Sequence, residues 1–279
     1  MTGMSAPTLA SPSNPRIKAA AALRDRRERD ATGLTLVDGA RELRRALEWG
    51  VEVVEAFVCE PLLAGEDARA ALDSLGARGV AVTTTTEAAF AKVAFGERAE
   101  GLVAVVRAPS LALDDLRLPA DPLIVVIEAV EKPGNIGAVL RSADGAGVDA
   151  VIAASPRTDL ANPNVIRASA GTIFAVPMAA APTDEVLSWL RARPVRIVAA
   201  RVEAGRAYTD TDLTGSIAIV VGSEAEGLTD FWLAPDIEPI HLPMLGIADS
   251  LNVSVSAAVL VYEARRQRGG NTVVADVTS

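Results

Sequence analysis

Three stretches of this chain combine reactive residue types with places where the backbone must turn. The first, Glu131-Lys132-Pro133-Gly134-Asn135-Ile136-Gly137, leads to Arg141. Pro-Gly makes a tight turn, and Asn135 suits the N-cap of a helix. Arg141 follows about a turn and a half later, near enough to approach the same mouth. The second is Val221-Gly222-Ser223-Glu224-Ala225-Glu226-Gly227-Leu228. Its glycines let the backbone bend closely around a ligand, and Glu224 can accept hydrogen bonds or pair with an arginine. The third passes through Leu242, Pro243, Met244, Gly246 and the group Asp249 to Asn252 into a long apolar segment. Open backbone donors and acceptors there suit the edge of a planar base. Ser250 and Asn252 need partners in such apolar company or they cost stability.

Other chemistries lack their parts. Cys59 is the single cysteine, so no intrachain disulfide or Cys-based metal site forms, and it reads as a core thiol. His241 is the single histidine and reads as a structural residue at a strand end; no G-x-S-x-G turn supports a Ser-His-Asp triad around it. Gly145-Ala146-Gly147-Val148-Asp149-Ala150 matches the dinucleotide fingerprint, yet it follows a helix and enters a strand. The reverse order is needed to bring a pyrophosphate to a helix N-terminus. That stretch reads as a helix C-cap and turn, which argues against a nicotinamide oxidoreductase. No apolar run is long enough to cross a bilayer, and the first residues lack the pattern of a signal peptide. A cytoplasmic protein without metal is expected.

The elements that must position the three stretches alternate along the chain. After a tail over 1–12, a basic helix precedes LTLV (34–37). A helix through ARELRRALEWG, a strand over 51–58, a helix through ARAALDSLGARG and strands over 80–86 and 101–108 follow. The segment 109–122 has three prolines and no period, so 109–121 reads as a linker between a domain over 13–108 and one over 122–270. In the second domain LIVVIEAV (123–130) is the continuous apolar run of a buried parallel strand. A helix through IGAVLRSADGAG, a strand over 148–154, further strands in IFAVPM, VRIVAA, SIAIVVG and IEPIHL, and a helix in DEVLSWLRAR come next. This is α/β alternation with a mostly parallel sheet, whose ligands sit at the carboxyl ends of strands. The segment from Leu251 alternates like a strand but also carries a helical stripe. Its length, its basic end before Gly269 and Gly270, and Asp249 or Ser250 as a cap make it a helix. A tail over 271–279 closes the chain.

Charge is uneven. The formal net charge is −9, yet Arg16, Lys18, Arg24, Arg26, Arg27 and Arg29 face only Asp25 and Glu28 between positions 16 and 29. Composition alone favours a solvated helix face; a phosphate-binding patch is the functional alternative.

In order and spacing, "NIGAVLRSADGAG", "VVGSEAEGL" and "LPMLGIADSLNVSVSAAVLVYEA" resemble the three motifs of the SpoU/TrmH group of RNA 2′-O-ribose methyltransferases. "NPRIKAAAALRDRRER" with "LVDGARELRRALEWG" resembles that group's N-terminal substrate-binding domain, itself similar to a ribosomal RNA-binding protein. Nearly the whole chain, from about Ser13 to Gln267, is covered. The resemblance implies a C-terminal parallel-sheet domain with a deep trefoil knot (the SPOUT fold) beside a smaller N-terminal α/β RNA-binding domain, and a homodimer formed through the C-terminal domain. It implies S-adenosylmethionine held by Gly222, Leu242, Met244, Ser250 and Leu251, with Arg141, Asn135, Glu224, Ser250 and Asn252 serving catalysis. Arg16, Lys18, Arg24, Arg26, Arg27 and Arg167 would bind RNA. The activity implied is ribose 2′-hydroxyl methylation, most readily of 23S ribosomal RNA; a tRNA enzyme of the same group or a non-catalytic RNA-binding homologue are the alternatives. Within that group Arg141 is assigned as the base. A guanidinium is normally protonated, so a phosphate clamp that orients the ribose stays open as its role.

Overall fold

The computed structural model describes residues 8–95, 100–223 and 226–269. Two compact units make up the chain: one runs as far as Pro109 and also includes Asp159–Ala175, and the other takes in Ser110–Thr158 and the chain from Val176 onward.

In the first unit the sheet order is β1-β4-β2-β3, with β1 Leu34–Asp38, β2 Val53–Val58, β3 Val82–Thr84 and β4 Leu102–Arg107. β4 is antiparallel to β1 and β2, while β2 and β3 are parallel. Helices α1 (Pro15–Ala22), α2 (Arg26–Thr32), α3 (Ala40–Glu48), α4 (Glu66–Ala77) and α5 (Glu87–Val93) connect and cover these strands. Ile17, Leu36, Phe57, Phe90 and Val103 form a closed core. The basic stretch is two helices rather than one. Leu23 ends the first, and Asp25 caps the second, its side chain accepting from Arg27 N at 2.9 Å. Sequence periodicity missed α5, which starts at a Thr86 cap and buries Ala89, Phe90 and Val93.

The second unit is built on a six-stranded parallel sheet of order β10-β8-β9-β5-β6-β7. Its strands are β5 Leu123–Glu128, β6 Ala150–Ala154, β7 Met178–Ala181, β8 Arg196–Ala200, β9 Ile217–Val221 and β10 Ile237–Ile240. Every residue of β5, β6 and β9 is buried, as the continuous apolar runs require of strands covered on both faces. In chain order the helices are α6 (Pro133–Ala146), α7 (Pro163–Ala168, which belongs to the first unit), α8 (Thr183–Arg191) and α9 (Val253–Gln267). Ile124, Val126 and Ile152 face Val186, Leu187 and Leu190 of α8. Alternation turns the intervening residues to the other face, where α9 packs on α6, β5 and β9. IFAVPM does not form a strand as expected. Thr172–Phe174 make a 3₁₀ turn and β7 begins only at Met178.

Gly147 closes α6 in a left-handed conformation (φ 62°), so the glycine pair at 145 and 147 is a helix end and turn. Arg265 of α9 donates to the carbonyls of Ala146 and Gly147, both at 2.6 Å, and satisfies the end of α6 from outside.

One contiguous domain is expected over 122–270, but Asp159–Ala175 returns to the first unit. Buried Arg29 donates to Asp159 at 2.7 Å, Thr35 to the Ala161 carbonyl at 2.6 Å, and Arg45 to the Ala170 carbonyl at 2.7 Å. Arg167 donates to the Phe95 carbonyl at 2.9 Å and lies 3.4 Å from Asp38, whose side chain is fully buried. Burial pushes the Asp38 carboxyl up to about 6 from 3.8, against the pull of the Phe95 N–H and of Arg167. A raised acid pKa means the folded state holds more protons than the unfolded one between those values, so stability falls as pH rises through that window. The stability difference between Asp38→Asn and the parent chain should therefore shift in favour of the variant from pH about 4 to about 6 and level off above. Denaturant titrations across that range check it, and a flat difference would refute it.

Candidate functional site

The loops that carry the three motifs all leave the carboxyl edge of the second sheet. Two residues there adopt positive φ without being glycine: Ala129 (53°) just after β5 and Ser155 (45°) just after β6. Such conformations cost about 1–3 kcal/mol each and collect where a loop must be aimed. Below them Glu128, the last residue of β5, is fully buried. Its carboxylate accepts from Thr183 Oγ1 at 2.9 Å, Thr229 N at 2.8 Å and Thr229 Oγ1 at 2.8 Å. The start of α8 and the loop after β9 are thereby tied to the centre of the sheet. Sequence reasoning passed over Glu128; an acid at the end of an otherwise apolar run was the available signal.

Above this edge lies a cleft of about 390 Å³. Gly222, Leu242, Met244, Ser250 and Leu251, expected to hold a cofactor, all line it. Gly222 is required by close approach: a Cβ there would sit 2.2 Å from the Gly227 carbonyl oxygen. The loop after β9 folds back on itself, and Gly227 N donates to the Ser223 carbonyl at 3.0 Å. Glu224, expected to brace the site, lies outside the described residues.

Asn252, rather than Asp249 or Ser250, caps α9. Its Oδ1 accepts from Ser254 N at 2.9 Å and Ser254 Oγ at 2.6 Å, while its Nδ2 donates to Asn135 Oδ1 at 3.2 Å. Asn135 in turn is not a cap. Pro133 takes the first position of α6, where its fixed φ and missing N–H are favourable, and Lys132 becomes the cap residue. The two asparagines thus join the starts of α6 and α9. A smaller cavity of about 80 Å³ adjoins the cleft through the shared residues Ser223 and Val253, and Asn135, Lys132 and Arg157 line it. Arg141 is exposed on α6 and lines neither cavity. His241 has its Nδ1 buried without a hydrogen bond just after β10, and Cys59 is a buried free thiol in the first unit.

Within the first unit the six residues expected to meet RNA divide. Arg16 donates to Glu55 at 2.7 and 3.0 Å and to Thr83 at 2.8 Å. Arg24 donates to the Ala94 carbonyl with its guanidinium 5.9 Å from the Phe95 ring. Arg167, also expected to meet RNA, is partly buried, with its side chain turned to Asp38 and Phe95. Lys18, Arg26 and Arg27 are exposed, as are Arg16 and Arg24, and Arg26 lies 3.4 Å from Asp30 in a well-solvated pair.

The cleft suits an adenosyl sulfonium. Its volume is in the range of small-molecule pockets, roughly 300–1,000 Å³. Leu242, Met244, Leu251 and Val253 offer apolar wall to a flat ring, and Glu203, Glu226 and Asp249 outnumber Arg201, which favours a cationic ligand. Among the described residues no cluster of potential ligands could hold a metal ion, and no helix is long and apolar enough to cross a membrane.

Comparison with known proteins gives two family matches: the SpoU rRNA Methylase family over residues 122–262 and the MRM3-like substrate binding domain over residues 14–104. A Streptomyces viridochromogenes protein named 23S rRNA (uridine(2479)-2'-O)-methyltransferase is 31% identical over 89% of this chain and 88% of its own. A crystal structure described as an RNA 2'-O ribose methyltransferase superposes with a TM-score of 0.81 at 42% identity, covering 94% of this chain and 99% of that one. The AdoMet-bound rRNA methyltransferase from Sinorhizobium meliloti has a TM-score of 0.84 at 26% identity, over 93% and 97%.

Gly222→Ala should spring the β9 loop, because only backbone stands within reach of the added Cβ. Titration with S-adenosylmethionine is expected to show a loss of affinity of at least about ten-fold, with a melting temperature near that of the parent chain. Unchanged affinity would sink this reading of the loop.

Proposed function

The chain belongs to the SpoU rRNA methylase family, and from that premise we propose that it transfers a methyl group from S-adenosylmethionine to a ribose 2′-hydroxyl of 23S ribosomal RNA. The observation that carries the proposal is the meeting of all five expected cofactor residues in one cleft, beside a small cavity that holds Asn135. When bound, the cofactor supplies a methyl group activated by its sulfonium.

The chain's own residues have two tasks, to align the acceptor hydroxyl and to manage its proton. Alignment accounts for much of the rate in such a displacement. Asn135 and Asn252 fix the seam between the starts of α6 and α9, so the small cavity keeps its place beside the cleft. Ser250 and Leu251 form cleft wall just before that seam. Arg141, exposed on α6, is the group we assign to the substrate, either holding a phosphate that orients the ribose or taking part in removal of its proton.

A trefoil knot is our reading of the C-terminal path. Its support is that β10 lies at one edge of the sheet while α9, next in the chain, packs on β5, β9 and α6 near the centre. A homodimer is supported by the exposed apolar side chains Val255 and Tyr262 on α9 and Leu245 and Ile247 on the loop before it. Ribosomal RNA as substrate fits a cytoplasmic site of action. We assign the division at 109–121 to the join between a substrate-binding part and a catalytic part.

Arg141→Ala is expected to keep cofactor affinity and dimer sedimentation while methyl transfer to 23S ribosomal RNA falls by about 10²–10³-fold; near-normal turnover would remove Arg141 from the mechanism. The combined change Lys18→Glu, Arg26→Glu and Arg27→Glu should weaken RNA binding and flatten its dependence on salt, since each lost phosphate contact lowers the slope by about 0.7–0.9. A slope equal to the parent's would return α1 and α2 to a purely structural role.

A further inference from the structure

Arg157 follows β6 and reaches across the end of β5 to the loop that follows β9. Its backbone N–H donates to the Val130 carbonyl at 3.2 Å. One arm of its guanidinium donates to Glu131 Oε1 at 2.8 Å, and the other pairs with Glu226. β9, β5 and β6 are neighbours in the sheet, so a single side chain straps three successive post-strand loops. Two cavities meet under the strap, with Glu226 lining the cleft and Glu131 and Arg157 lining the smaller cavity.

An arginine at this position invites assignment to an RNA phosphate. Charge argues against that, because two carboxylates flank one guanidinium and leave the trio net negative. Both arms of the fork are also already occupied. Stability is no better an explanation, since the three side chains are 42–59% exposed and such pairs contribute little to folding. What a fork of this kind provides is direction, as two fixed N–H bonds set where each carboxylate stands.

We propose that Arg157 is a positioning residue for the cofactor, holding Glu226 and with it the β9-loop wall of the cleft in the geometry that receives S-adenosylmethionine. The proposal rests on the reading of the cleft as the cofactor site.

Its test is calorimetric titration of S-adenosylmethionine into the parent chain, Arg157→Ala, Arg157→Lys, Glu226→Gln and the double variant Arg157→Ala/Glu226→Gln, with RNA binding measured over a series of salt concentrations. Arg157→Ala should weaken cofactor binding roughly three- to ten-fold, the range two exposed pairs can transmit. Arg157→Lys should fall between, because an ammonium lacks the fork. The double variant should bind no worse than the weaker single variant, as expected of residues acting as one unit. RNA affinity and its salt slope should stay at the parent's values. Unchanged cofactor affinity in Arg157→Ala, additive losses in the double variant, or a reduced RNA salt slope would each overturn the assignment. A parent chain that fails to bind S-adenosylmethionine would overturn the reading of the cleft itself, and the strap's role with it.

Discussion

A fully buried carboxyl group sits where three segments of the second unit meet. Glu128 ends a central strand of a sheet covered on both faces, and the hydroxyls of Thr183 and Thr229 and the N–H of Thr229 donate to it. A carboxyl group in such surroundings must find hydrogen-bond partners or cost stability. The demand works in reverse as well. The β9 loop and the first turn of α8 must come to Glu128, and the cleft inherits its floor from that requirement. The Thr183 backbone N–H donates to Ser155 Oγ at 3.0 Å, so the positive-φ turn after β6 joins the same network.

Above that floor the site is framed by contacts between chain segments distant in sequence. Asn135 meets Asn252 across 117 positions, and Arg265 meets the end of α6 across 119. α6 and α9 are thus fixed to each other at both ends, by an amide pair at the starts and a guanidinium at the end of α6. An added Cβ at Gly145 or Gly147 would meet Tyr262 or Arg265, so the turn at the end of α6 leaves room for α9 only because it is glycine.

In the first unit a run of basic residues makes several different kinds of contact. Six basic side chains between positions 16 and 29 resemble a nucleic-acid patch. Arg29 is buried against Asp159, Arg16 is divided between Glu55 and Thr83, and Arg24 lies on Phe95. Arg29 is thus built into the unit, while Arg16 and Arg24 make these contacts and stay exposed, as do Lys18, Arg26 and Arg27. The net charge of −9 belongs to the whole chain, whereas local rather than total charge sets counterion release from a nucleic acid.

What the sequence determined by itself was largely what local patterning encodes. Continuous apolar runs gave β5, β6 and β9, and length and a basic end gave α9, while the resemblance to the SpoU/TrmH motifs pointed to Gly222, Leu242, Met244, Ser250 and Leu251, which line the cleft. Local signals misplaced the caps, because Pro133 and Asn252 win their positions by backbone geometry that several nearby residue types could equally suggest. The partners of Glu128, the Arg157 strap, the inward turn of Arg167 and the return of Asp159–Ala175 to the first unit were decided only in tertiary structure. Each joins side chains that a strand crossing or a long loop brings together. Period and propensity describe a residue's neighbours along the chain, whereas a charge's partner is whatever the fold carries into reach.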